Sequence, residues 1–286
     1  MSLEHVPPDA RPPGLPPGAG RTVSLTAMIC GRDAQASLEA TLDSVDWVDQ
    51  VLVLLDDRTT DNSRGIAEAW AARHPGVDTR IRLEPWRGFS GSKEHGATLA
   101  RNDWILVVDA DEEVSPRLRD QLRLLKSADW ESFDLGYVRR RNWVLGRRVR
   151  AWWPDWQNRV WHRGRVTWGD EVLHDKRDAA EDRKRRFSGW LEHKRVGGDW
   201  TDYFSGDRQD ARIGLVAEQM YGRGKRVGAI GLFCRPLGAF FKFYVLKRGF
   251  LDGAFGLLIA QKAAVSTQLK YAALWSVQNG HPPRSR

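Results

Sequence analysis

The sequence predicts an α/β fold: a mostly parallel sheet with flanking helices, followed by a basic amphipathic helical C-terminal region. Three observations lead there. From Val23 to Asp109, apolar β-branched runs alternate with stretches of helical periodicity, the pattern of right-handed βαβ units. Two of the runs end abruptly in carboxylates, at Asp56-Asp57 and at Asp109-Ala-Asp111-Glu-Glu113. Beyond about Pro116 the alternation stops, and Phe233–Trp275 interleaves aromatic clusters with Lys and Arg.

Taken in order, residues 1–20 are rich in Pro and Gly with little apolar content, and are expected to be a disordered tail. Val23–Cys30 reads as a first strand, and Leu38, Leu42 and Val45 give helical spacing to Ala36–Val45. Gln50–Leu55 is a second buried strand. The polar loop after it supplies Asp61 or Asn62 as N-cap for a helix over Ser63–Arg73. Asp78–Leu83 reads as a strand, Gly91–Ala100 as a helix and Trp104–Asp109 as a fourth strand. The acids Glu112 and Glu113 are expected to open the next helix, near Pro116–Leu125, because carboxylates favour a first helical turn.

Strands are then expected at Leu135–Val144, Gln157–Trp161 and Arg165–Trp168, and a helix over Trp200–Met220. The C-terminal stretch holds no uncharged run of 18 residues, so it is not expected to cross a bilayer. Amphipathic helices of this composition suit the membrane interface instead.

Composition narrows the class. The chain has 286 residues, 41% hydrophobic and 29% charged, enough for one large domain with an appendage. Its two cysteines, Cys30 and Cys234, are far apart and form no metal-ligand spacing, which fits a reducing cytoplasm. The N-terminus has no basic segment leading into an apolar core, so no signal peptide is expected. The formal net charge is +8. Six of the arginines fall within residues 139–150 with no acid among them, and residues 234–286 carry eight Lys/Arg against Asp252 alone. Such basicity suits phosphorylated substrates or an anionic membrane surface.

The carboxylates at the strand ends carry the chemistry. Open parallel sheets bind ligands beyond the C-terminal ends of their strands. Asp109 and Asp111 are hard oxygen ligands placed there, suited to Mg²⁺ or Mn²⁺. Asp56, Asp57 and Asp61 lie at the end of another strand of the same sheet, so two acidic strand ends converge on one cleft. An EF-hand counted from Asp109 fails, because Val114 stands where the loop needs Gly.

In order, Leu54–Ser63, Lys93, Asp109-Ala-Asp111-Glu, Asn142-Trp143-Val-Leu-Gly146, Trp152-Trp153-Pro154-Asp155, Gln157-Asn-Arg159 and His174-Asp175 resemble the inverting glycosyltransferase family 2, of GT-A fold. Within it they are similar to the branch of bacterial lipopolysaccharide core β-glucosyltransferases. Residues 247–253 and Leu269-Lys270-Tyr271 extend the likeness, which covers about residues 22–277. The resemblance implies a nucleotide-sugar-binding half over 21–130, an acceptor-binding half over 131–225 and a membrane-interfacial region over 226–286.

It also implies roles. Asp56, Asp57, Asp61, Lys93 and Asp109 would bind the nucleotide sugar, and Asp111 with Asp109 would hold the metal. Asn142, Trp143, Trp153, Asp155, Arg159 and His174 would bind acceptor or phosphate. Asp175 would be the base that deprotonates the acceptor hydroxyl, with Glu171 as the alternative. The implied partners are a nucleotide-sugar donor, a glycan or lipid-linked acceptor and the inner face of the cytoplasmic membrane. The chain departs from the family pattern at Asp33-Ala34, at Arg58-Thr59-Thr60 in place of Gly-Ser-Thr, and in having Asp175 in place of Glu.

Two other classes fit less well. A nucleotidyltransferase normally has a Gly-rich, basic loop after the first strand, and Cys30-Gly-Arg-Asp33 is a poor one. A nucleic-acid-binding protein would account for the charge, but carboxylates at two strand ends would repel phosphates.

Overall fold

Runs of aliphatic side chains buried on both faces make the centre of the sheet. β1 (Leu25–Gly31), β2 (Gln50–Asp56) and β4 (Trp104–Asp109) are buried along almost their whole length, as parallel strands covered by helices are. β1 pairs in parallel with both β2 and β4, and β2 pairs in parallel with β3 (Asp78–Glu84). β3 is the edge strand and carries Arg80 and Arg82, charges that discourage further pairing. The connections run through α1 (Leu38–Asp43), α2 (Ser63–Arg73) and α3 (Gly88–Leu99). The computed structural model describes residues 23–168, 177–194 and 207–281; the tail expected over 1–20 lies outside them.

At the start of α2, Asn62 holds the cap position without a side-chain cap bond. Asp61 does that work: its carboxylate accepts from the Ser63 and Gln35 amides, at 3.0 and 2.8 Å. Asp61 therefore ties the loop after β2 to the loop after β1.

After β4 the structure departs from expectation. Glu112 and Glu113 do not open a helix. They belong to a short strand, β5 (Glu112–Val114), antiparallel to β11 (Lys184–Lys194) at the far edge of the sheet. The helix α4 begins only at Pro116, capped by the Ser115 hydroxyl, which accepts from the Leu118 amide. A Pro at the first helical position and a Ser before it suffice to start a helix without acids. Close packing guides the crossing: a Cβ on Gly31 would meet the Ala110 Cβ at 2.4 Å, so the chain passes directly over the end of β1.

The second half adds α5 (Ser127–Glu131), β6 (Leu135–Val144), β7 (Arg147–Arg148), β8 (Asp155–His162), β9 (Thr167–Trp168) and β10 (Arg177–Asp178). Among the described residues nine strands form one sheet in the order β3-β2-β1-β4-β8-β6-β11-β5, with β7 beside β6. β8 is antiparallel to β4 and β6, and β11 is parallel to β6. The expected mostly parallel α/β sheet with flanking helices is thus observed, and every antiparallel pairing in it involves a strand that follows β4. β8 starts at Asp155, two residues before the expected Gln157, because Arg140 of β6 pairs with Asp155.

Three helices close the described chain: α6 (Asp207–Gly222), α7 (Ala229–Phe241) and α8 (Gly253–Gln278). Phe255 and Ile259 of α8 pack with Val144 and Val149, joining this region to the sheet. Between α7 and α8 the chain makes a π-helical turn at Lys242–Leu246. Ala229–Leu246 has a mean hydropathy of 1.4 over 18 residues, and none of it is buried. Contrary to expectation, its length and composition suffice to cross a membrane. Two interspersed charges, Arg235 and Lys242, do not lower the average enough to prevent it.

Candidate functional site

Asp109 ends β4, where the ladder stops and its side chain leaves the core. Lys93 of α3 stands 3.1 Å from one of its oxygens, and Arg159 of β8 stands 2.7 Å from the other. The same Arg159 guanidinium reaches Glu112 at 2.6 Å. Glu112 is fully buried and is also approached by Arg140 of β6 at 3.4 Å, while its second oxygen accepts from the Asp109 amide. Arg140 in turn donates to Asp155 at 2.8 Å. A chain of alternating charges therefore runs through β8, β4, β5 and β6 directly behind the strand end.

Burial alone would push the Asp109 carboxyl up. The positive charges of Arg159 and Lys93 outweigh it and hold the group well below the usual carboxylate range. Asp155 follows the same logic: desolvation raises it, and Arg140 together with donated hydrogen bonds from Asn142 and Gln157 brings it below its ordinary value. Both groups are ionised at neutral pH.

Asp111 lies outside this chain of charges and keeps 44% of its side chain exposed. Among its partners is His193 of β11, with Nε2 at 3.2 Å from the carboxylate. The orientation of that imidazole is set from behind. Asn142 donates its amide to Asp155 at 3.0 Å, which turns its carbonyl oxygen toward His193 Nδ1 at 2.7 Å. With Nδ1 held by that oxygen, Nε2 is turned to Asp111, so a cation bound there would meet one imidazole nitrogen and one carboxylate.

The donor set suits a divalent cation of the Mg²⁺ or Mn²⁺ kind. Asp111 offers oxygen and His193 offers nitrogen, while Asp109 already holds two cationic side chains. Among the described residues no group of three His, Cys, Asp or Glu completes a metal site. Further positions would fall to water and to the oxygens of a bound diphosphate, as is usual for such ions at phosphate sites.

The remaining predicted residues divide. Asp56 is buried at the end of β2 and takes a bidentate pair from Arg58, at 2.6 and 2.9 Å, which lowers its carboxyl below the ordinary value. Asp57 is exposed beside it. Asp61 is held in its loop, and the Ser63 hydroxyl and the Gln35 and Ser63 amides overcome burial to lower its carboxyl.

Trp143 and Trp153 are not brought to the carboxylates. In β6, side chains alternate, so Arg140 and Asn142 face the site while Arg139, Arg141 and Trp143 face the other way. There Trp143 donates to Glu192 at 2.6 Å, and Trp153 lies under Arg139, at 4.8 Å, and Arg148, at 5.1 Å. Glu171, His174 and Asp175 lie outside the described residues. His193 went unnoticed in the sequence: it sits 82 positions from Asp111, and only the pairing of β11 with β6 and β5 brings the two together.

The family model described as "Glycosyl transferase family 2" matches residues 28–180, more than half of the chain. An uncharacterized glycosyltransferase of Rickettsia bellii is 30% identical over 116 residues, which cover 41% of this chain and 37% of that protein. The lipopolysaccharide core biosynthesis glycosyltransferase LpsC of Rhizobium meliloti is 28% identical over 123 residues, covering 43% and 44% respectively. The chain thus spans less than half the length of either. Among solved structures, the mannosyltransferase PcManGT from Pyrobaculum calidifontis, in complex with GDP-Man and Mn²⁺, superposes with a TM-score of 0.48 at 14% identity, over 94% of this chain and 90% of that one.

Two predictions test the charge network. Removing the buried partner of two guanidinium groups, Glu112→Ala, is expected to lower stability by about 3–5 kcal/mol, read as the urea midpoint of the purified protein. Carboxyls depressed in the folded state bind protons more readily when unfolded. Their stabilisation is therefore present above the ordinary Asp value of about 3.9 and is lost as pH falls through the folded values. Urea midpoints are expected to drop between pH 5 and pH 2, and the drop should be shallower in Asp109→Asn.

Proposed function

The chain belongs to glycosyl transferase family 2, and on that premise we propose that it transfers a hexose from a nucleoside diphosphate sugar to a glycan acceptor. The observation that carries the reading is the Asp111–His193 pair at the end of β4, backed by Lys93, Arg159 and Arg140. Carboxylates presented beside fixed cations at a strand end suit a diphosphate with its metal ion.

Asp109, held ionised between Lys93 and Arg159, fixes the start of the crossing segment and so positions Asp111. Asp111 and His193 would hold a divalent cation. When bound, that ion neutralises the charge that develops on the departing nucleoside diphosphate. Asp56 lies two strands away at the end of β2 and is suited to the nucleoside, provided Arg58 yields one of its two contacts.

Inversion at the anomeric carbon requires a base on the acceptor side. We assign it to Asp175, with Glu171 as the competing carboxylate. The shorter Asp brings its oxygen to the acceptor only if the sugar sits closer to the backbone, a positional demand worth several kcal/mol in transfer reactions.

The acceptor is proposed to be lipid-linked or lipopolysaccharide-like, at the inner face of the cytoplasmic membrane. The likeness to a lipopolysaccharide core biosynthesis enzyme supports this. So does the helical region: Ile230, Phe233, Leu237 and Phe241 recur at helical spacing along α7 and are 54–81% exposed. A contiguous apolar helix face flanked by Lys and Arg is the composition of an interfacial helix.

Release of nucleoside diphosphate from a panel of UDP-, GDP- and dTDP-sugars with Mn²⁺ tests the chemistry. Asp111→Asn is expected to reduce it at least about 100-fold with the fold intact by circular dichroism. Wild-type turnover in that variant would remove the metal-holding role from Asp111. For the membrane, sedimentation with phosphatidylglycerol vesicles is expected for the wild type and lost in Phe233→Glu/Leu237→Glu. Failure of the wild type to sediment would refute the interfacial reading.

A further inference from the structure

The strand order separates two sides of the Asp111–His193 pair. Asp56 ends β2, on the side of β4 that continues through β1 to β3. On the other side, toward β8, β6 and β11, a cavity of about 480 Å³ opens between the sheet and the turn that follows α7. His193 forms part of its wall, with Arg140, Trp152 and Asp155 on the sheet side and Lys242 and Lys247 opposite.

The charges in this wall are unequal. Asp155 is matched by Arg140, at 2.8 Å, and by Asn142. Lys242 and Lys247 are exposed, and neither has a carboxylate at ion-pair distance among the described residues. Their alignment has a specific backbone cause. The Lys247 amide donates to the Lys242 carbonyl at 2.8 Å, the five-residue closure of the π turn at Lys242–Leu246. In a continuous α-helix, residues five apart point about 140° away from each other. The wider turn brings both lysines to the same cavity, and such turns recur at functional sites.

We propose that this cavity is the acceptor subsite and that it takes an anionic saccharide, one bearing a phosphate or a carboxylate, whose charge lies between Lys242 and Lys247. Trp152 supplies an apolar face for the sugar ring, and the ammonium groups supply charge-assisted hydrogen bonds to the anion. The cavity reaches His193, so a sugar seated there presents its hydroxyl beside the residues that hold the donor diphosphate. The inference rests on the glycosyl-transfer reading above. It places the C-terminal segment in substrate recognition as well as at a surface.

Saturation-transfer NMR on the full-length protein, with glucose, glucose 6-phosphate and glucuronate as probes, tests it. Thermal stabilisation by UDP, GDP and dTDP with Mn²⁺ is measured in parallel. Glucose 6-phosphate, glucuronate or both are expected to bind at least about tenfold more tightly than glucose, a difference of about 1.4 kcal/mol. Whichever of the two binds identifies the anion. The preference should vanish in Lys242→Glu/Lys247→Glu and persist in Lys242→Arg/Lys247→Arg, with nucleotide stabilisation the same in all three proteins. Equal binding of glucose and both anionic sugars, no binding of either anion, or a preference that survives the Glu variant overturns the proposal. Loss of nucleotide stabilisation in the Glu variant alone overturns it too, by assigning the lysines to the donor. If no nucleotide stabilises even the wild type, the glycosyl-transfer reading is what fails, and the sugar preference still reports on the cavity.

Discussion

The arrangement of this protein's site depends on the buried ion cluster centred on Glu112. A fully buried carboxylate is tolerable only when it is paired and hydrogen-bonded. Glu112 meets both conditions through Arg159, Arg140 and the Asp109 amide. Each partner comes from a different strand. Satisfying one side chain therefore sets the relative positions of β4, β5, β6 and β8. The cluster also absorbs the charges that would otherwise face the cleft, leaving Asp111 exposed there with the buried His193 behind it. Ion pairs of this kind contribute little net stability relative to an apolar core, and their value here is geometric.

Strand alternation then sorts the basic residues. The six arginines of residues 139–150 read as one positive patch in sequence, but the structure gives them three environments. Arg140 faces the carboxylates. Arg139, Arg141 and Arg148 lie against Trp153 and Trp190 on the opposite side. Arg147 and Arg150 reach the C-terminal helices, over Phe255 and to Asp252. A period of two along β6 and a turn at Leu145–Gly146, where both residues have positive φ, are enough to disperse the patch. Stacking on indole rings offsets the desolvation of these guanidinium groups, so most of the run serves packing.

The C-terminal helices are attached to the sheet through a small apolar contact, Phe255 and Ile259 against Val144 and Val149. Their outer faces retain large exposed side chains, including Leu246, Phe250 and Leu251 near the π turn. The turn that brings Lys242 and Lys247 into the cavity thus lies beside side chains suited to an apolar environment. The lysines that line the cavity and these exposed apolar side chains belong to one short segment.

Much of this protein was legible in the linear sequence. The alternation of apolar runs predicted β2, β4, β6 and α2 to within a residue, because buried strands and amphipathic helices carry their periodicity locally. The Asp-x-Asp at the end of β4 was legible for the same reason. Glu112 was misread as a helix start: a carboxylate before a helix is locally favourable, and nothing nearby reveals the two arginines that hold it. His193, the inward placement of Arg140 alone among its neighbours, and the removal of Trp143 and Trp153 from the site are consequences of strand pairing between segments tens of residues apart. The sequence by itself determined the alternating strands and helices of the first half as far as β4, and that acids stand at two strand ends; β5 and β11 emerged only from pairing. Only the tertiary structure decided which acid is buried and which is presented, because burial and ion pairing depend on long-range register that no local pattern encodes.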